Sequence, residues 1–180
     1  MGRSTSTSSS ISLVLIFVLS VDLFGGNLRA NAVTPLIEKA CENTGVRDFC
    51  YNIMENDPVA PWAKTKLDLE YITLRLAQDN YQTVHRKVWT ITANETNPEY
   101  KQIYRKCLHQ YNLLKSEFRN LIETVLVNGN IDLAAQAASN PIFVCERYLM
   151  TPGVPNPISE DNKYMMYFFD LMRDMYFTPF

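Results

Sequence analysis

Residues 100–125 limit the fold more than any other stretch of the chain. Their large apolar side chains, Tyr100, Tyr104, Cys107, Tyr111, Leu114, Phe118, Leu121 and Val125, recur at alternating steps of four and three residues. That alternation holds them on one stripe of an α-helix of about seven turns, and leaves Lys101, Arg105, Lys115, Glu117 and Arg119 to face water. An isolated helix with such a stripe would expose most of its apolar surface, so the element demands helical partners. Cys107 lies within the stripe, which predicts a covalent tie to whatever packs there.

The flanking segments supply those partners and predict an all-α chain. From Pro61 onward, Leu67, Tyr71, Leu74, Ala77, Tyr81, Val84, Val88 and Ile91 repeat the helical spacing, widened by Leu69, Ile72 and Leu76. A break is expected over residues 92–98, and Asn97-Pro98 opens the next helix, with proline in its tolerated first-turn position. Asn128-Gly129-Asn130 then ends it. An alanine-rich segment follows, with Asn140-Pro141 expected to break or kink it before Cys145. Residues 151–157, with three prolines and a glycine, read as a loop. A last helix, capped by Ser159 or Asn156, is expected to turn Tyr164, Phe168, Leu171 and Met175 inward, widened by Met166, Tyr167, Phe169 and Met172. Connections of about five, three and nine residues cannot run back along a bundle, so consecutive helices must be antiparallel, giving an up-down-up-down four-helix bundle over residues 61–180. Before it, two short amphipathic pieces around Asn43-Thr44-Gly45 make a helical hairpin over residues 33–60.

Residues 1–32 read as a secretory signal peptide: Arg3 near the start, an apolar run over 11–24, and Ala30-Asn31-Ala32 as a cleavage site. The run is short for a membrane span and Asp22 interrupts it, so no membrane anchor is expected. Removing the leader takes away Arg3, Arg29 and Asp22 and leaves 15 basic and 18 acidic residues, a formal charge of −3. That balance, without any Lys/Arg cluster, argues against nucleic acid as a partner. In the secreted context Asn94-Glu95-Thr96 is an N-glycosylation acceptor at Asn94.

Cys41, Cys50, Cys107 and Cys145 are most simply two disulfides. No Cys-x-x-Cys pair is present, and neither His85 nor His109 lies at ligand spacing from a second histidine, so no metal is expected. Three pairings are possible. The local one, Cys41–Cys50 and Cys107–Cys145, staples first the hairpin and then two consecutive bundle helices. Loop-closure entropy makes these worth about 2.5 and about 4 kcal/mol respectively.

No nucleophile elbow, zinc-protease motif, Walker loop or dinucleotide fingerprint occurs, His85 and His109 read as ordinary helix-surface residues, and Glu160-Asp161 suits a helix N-terminus. The chain is not expected to be an enzyme or to carry a cofactor. A stapled, secreted bundle of this kind acts by binding.

With the cysteines laid on the helices, the mature chain resembles the plant invertase and pectin methylesterase inhibitor family. The carriers are Leu36-Ile37 before Cys41, the nine-residue step to Cys50, Met54 to Pro58 closing the hairpin, Cys107 with Tyr111, Asn140-Pro141 before Cys145, and Pro157-Ile158-Ser159. The resemblance implies the local disulfide pairing, and a non-covalent inhibitor that blocks the active-site cleft of a secreted plant carbohydrate-active enzyme in the cell wall or the vacuole. Invertase inhibitors of the family carry a Pro-Lys-Phe turn, where this chain has Pro98-Glu99-Tyr100. Pectin methylesterase inhibitors typically have a threonine before the fourth cysteine and acids after the third and fourth, where this chain has Val144, Asn112 and Arg147. The missing lysine favours pectin methylesterase over acid invertase as the target. The expected docking surface surrounds the Cys107–Cys145 staple, with Lys106, His109, Gln110, Asn112, Val144, Glu146 and Arg147 outward, and Pro98, Glu99 and Tyr100 at the tip as the alternative.

Overall fold

The computed structural model describes residues 33–179, so the leader expected over 1–32 lies outside the described residues. They form six α-helices: α1 (Pro35–Glu42), α2 (Arg47–Asn56), α3 (Lys66–Asn94), α4 (Pro98–Leu126), α5 (Ile131–Leu149) and α6 (Ser159–Phe177), with a 3-10 turn at Ala60–Trp62. Among the described residues there is no strand. Helices α3 to α6 form the up-down-up-down bundle. Each packs on its sequence neighbours and α6 closes the square against α3, so α4 and α6 occupy opposite corners.

In α4, seven of the eight stripe residues are buried, and Tyr100 at the helix start is half-buried. Each large side chain so removed from water contributes about 1.5–3 kcal/mol. At the far end Asn128 adopts φ 50°, the left-handed conformation that asparagine tolerates after a helix, and Gly129 N–H donates to Thr124 O at 2.8 Å.

Four expectations are corrected. The helix expected from Pro61 begins at Lys66, because Thr65 and Asp68 form a capping box. Asp68 N–H donates to Thr65 Oγ1 at 3.2 Å, while the amides of Lys64 and Thr65 donate to Asp68 Oδ2 at 2.8 and 2.9 Å and hold that carboxyl below its ordinary pKa. Leu67, in the first turn, is exposed, while Glu70 and Thr73 are buried. Pro141 does not end its segment: α5 runs through it from Ile131 to Leu149, with Ala134, Ala135 and Ala138 buried at close helix contacts. In α6, Met165 takes the inward place expected of Tyr164, which is 38% exposed, and Met165, Phe168, Phe169, Leu171, Met172 and Met175 make the core face. Neither Ser159 nor Asn156 is its N-cap. That position is Ile158, whose N–H donates to Asn156 Oδ1 at 3.3 Å.

The hairpin α1–α2, closed by Cys41–Cys50, packs α1 on α3 and touches α6 through Phe49 and Gly45. Phe49 packs edge-on against Phe168 and Tyr164, both at 4.9 Å between centroids, and Gly45 N–H donates to Asp174 Oδ2 at 2.8 Å. Buried Asp57, after α2, pairs with Arg75 of α3 and accepts the amides of Val59 and Ala60, which fixes the turn into the bundle.

Candidate functional site

Cys107 and Cys145 are fully buried and disulfide-bonded, with their Cα atoms 4.5 Å apart, so the first half of α4 is locked to the last turns of α5. A chain of hydrogen bonds wraps this staple. Tyr111 donates its hydroxyl to Asn162 Oδ1 at 2.6 Å, Asn162 Nδ2 donates to Glu146 Oε2 at 2.5 Å, and Asn156 Nδ2 donates to Glu146 Oε1 at 2.8 Å. Burial first, and the nearby carboxylates second, push the Tyr111 phenol well above its ordinary pKa, which keeps it a neutral donor. Every polar group in this network is satisfied within the fold, so it builds rigidity and offers no group for catalysis.

The residues expected around the staple divide between faces. Lys106 lies over the Tyr148 ring at 5.6 Å, which places it on the α4–α5 side. Gln110, one turn on, and Val144, one turn before Tyr148, are half-buried on the same side by helical periodicity. His109 and Arg147 are exposed. Glu146 does not face outward, because both its oxygens are taken by the α5–α6 loop and α6. Asn112 turns the other way, toward α3, where His85 Nε2–H donates to Asn112 Oδ1 at 2.8 Å.

At the tip, Pro98 and Glu99 are exposed and form the start of α4, with Asn97 Oδ1 accepting the amides of Glu99 and Tyr100 at 2.9 and 3.3 Å. Tyr100 leans on the α5–α6 loop beside Gly153, whose φ of 82° suits glycine, and Tyr104 donates its hydroxyl to Pro155 O at 2.9 Å. Asn94, the expected glycosylation acceptor, is exposed as the last residue of α3.

Sequence reasoning missed the α3–α4 groove. Tyr81, His85 and Trp89 follow one another at four-residue steps on α3, and Asn112, Lys115, Arg119 and Ile122 step by three, four and three on α4. The second pattern lies beside the dominant core stripe of α4 and was absorbed by it. Among the described residues, no group of three or more metal-ligating side chains exists, and no helix is long and apolar enough to cross a membrane.

A model of the plant invertase/pectin methylesterase inhibitor family matches residues 35–165. The chain belongs to that family. Its members are inhibitors, not enzymes. Among solved structures, the crystal structure of mutant form A of a pectin methylesterase inhibitor from Arabidopsis is similar, with a TM-score of 0.69 at 15% identity over 81% of this chain and 99% of that one. That likeness shows the fold. No curated protein matches the sequence.

Proposed function

We propose that the chain is a secreted inhibitor of pectin methylesterase, acting in the cell wall by a non-covalent complex that blocks the enzyme's active-site cleft. The observation that carries this reading is the family match across residues 35–165, on a bundle whose second and third helices are locked by Cys107–Cys145. A locked helix pair lowers the ordering cost of association. In this reading Lys106, His109, Gln110, Val144 and Arg147 provide the docking face on α4 and α5, and Asn112 lies outside it. The acid in Pro98-Glu99-Tyr100, where invertase inhibitors carry a cation, speaks against invertase, as does the half-buried ring of Tyr100.

The test is co-elution of the oxidised mature protein with a plant pectin methylesterase on size exclusion near pH 5. Formation of a complex lost in Val144→Arg supports the proposal. A complex with acid invertase alone moves the target, and a complex with either enzyme that leaves its activity intact makes the chain a binder without inhibition.

A further inference from the structure

We infer that the groove between α3 and α4 is a binding site for an acidic oligosaccharide, a role separate from enzyme inhibition. The groove encloses about 710 Å³ and is open to solvent along its length, within the size range of small-ligand sites. From Gln78 to Trp89 it follows α3 for about 16 Å. Its floor is the buried pair Tyr81 and Phe118, with centroids 5.3 Å apart. Its walls carry Arg86 on one helix and Lys115 and Arg119 on the other, and no carboxylate lines it. Those three cations are exposed, and among the described residues none has an ion-pair partner. Elsewhere on this acidic chain Lys87 pairs with Asp161 and Arg173 with Asp132, at 2.5 and 2.7 Å.

Three features of the groove select the ligand class. Unpaired guanidinium and ammonium groups on both walls call for a ligand with repeated negative charges, and arginine suits carboxylates in particular. Trp89 is 58% exposed at one end, an indole face free to pack against the flat C–H face of a sugar ring. Gln78 and Gln82 offer amides that both donate and accept, which matches hydroxyl groups. An oligomer of uronic acids carries ring faces, hydroxyls and periodic carboxylates together. An acidic protein segment carries carboxylates and backbone amides but no hydroxylated ring face to lie on Trp89, so the saccharide is the better fit. The His85–Asn112 bond spans the two helices and ties the walls of the groove together.

The experiment uses the oxidised mature protein and needs no enzyme, so the failure of the inhibitor reading leaves it intact. The chain has two tryptophans, and Trp62→Phe leaves Trp89 as the sole indole reporter. Titration with hexagalacturonate at low salt should give a saturable change in its fluorescence. Calorimetry should show affinity falling at least tenfold in Arg86→Gln/Arg119→Gln and saturable binding lost in Trp89→Ala, each variant melting as the parent does. The fully methyl-esterified hexamer should bind at least tenfold more weakly. No saturable binding, equal binding of the ester, or binding unchanged by Trp89→Ala overturns the proposal. Hexaglutamate binding as tightly as the uronate also overturns it, by making the groove a site for acidic protein segments.

Discussion

Tyr111 and Asn162 stand on opposite corners of the bundle, on α4 and α6, and meet at its centre in a hydrogen bond of 2.6 Å. Both are buried, so neither has water as an alternative partner. Through Asn162 the bond reaches Glu146, and with it the disulfide-bearing segment of α5.

Tyr111→Phe keeps the ring and removes the donor, leaving Asn162 Oδ1 buried without it. Urea denaturation should show a loss of about 1–3 kcal/mol. A loss below about 0.5 kcal/mol, smaller than a typical net hydrogen bond, would mean that the network is not holding the corners together.

Glu70, 2% exposed on α3, gives the fold a pH dependence. Burial raises its pKa above the ordinary 4.5, and Lys66 at 4.0 Å only partly opposes this. Well below pH 4.5 the acid is neutral in both folded and unfolded chains. As pH rises the unfolded carboxyl ionises first, so stability is lost through the folded-state pKa. Glu70→Gln should therefore melt higher than the parent at pH 7, with the difference vanishing well below pH 4.5. A Glu70→Gln protein less stable than the parent at pH 7 would mean that the Lys66 pair outweighs burial.

Phe49 is the main aromatic anchor of the hairpin on α6, touching Tyr164, Tyr167 and Phe168. Phe49→Ala should weaken hairpin docking by about 3–5 kcal/mol while Cys41–Cys50 keeps the hairpin closed. Hydrogen exchange should then speed up across α1 and α2 with little change in α4. Equal acceleration in both would show that hairpin and bundle unfold as one unit.

The long helices were legible because their stripes are one-sided. In α4 the alternation of fours and threes named seven residues that the fold buries. In α6 it failed by one position, since Tyr164, Met165, Met166, Tyr167, Phe168 and Phe169 form an unbroken apolar run and periodicity cannot choose a face within it. The start of α3 was readable in Thr65-x-x-Asp68, but Pro61 gave the more obvious cue, and a proline opens the 3-10 turn as readily. The candidate docking residues were chosen by nearness to a cysteine. Nearness along a helix says nothing about direction, so Glu146 turned toward α6 and Asn112 toward α3.

That division makes docking separable by mutation. Val144→Arg should weaken binding to the target at least tenfold, about 1.4 kcal/mol, with little change in thermal stability, and Asn112→Lys should change it less than threefold. The reverse order in a binding titration would put the contact on the α3–α4 side.

Inhibition of pectin methylesterase is tested most directly by titrating a plant pectin methylesterase with the oxidised mature protein near pH 5 and following release of methanol. Activity should fall to near zero at about one equivalent, while acid invertase in a parallel titration keeps its rate. Full pectin methylesterase activity at a large excess of the protein, or loss of invertase activity instead, would contradict it.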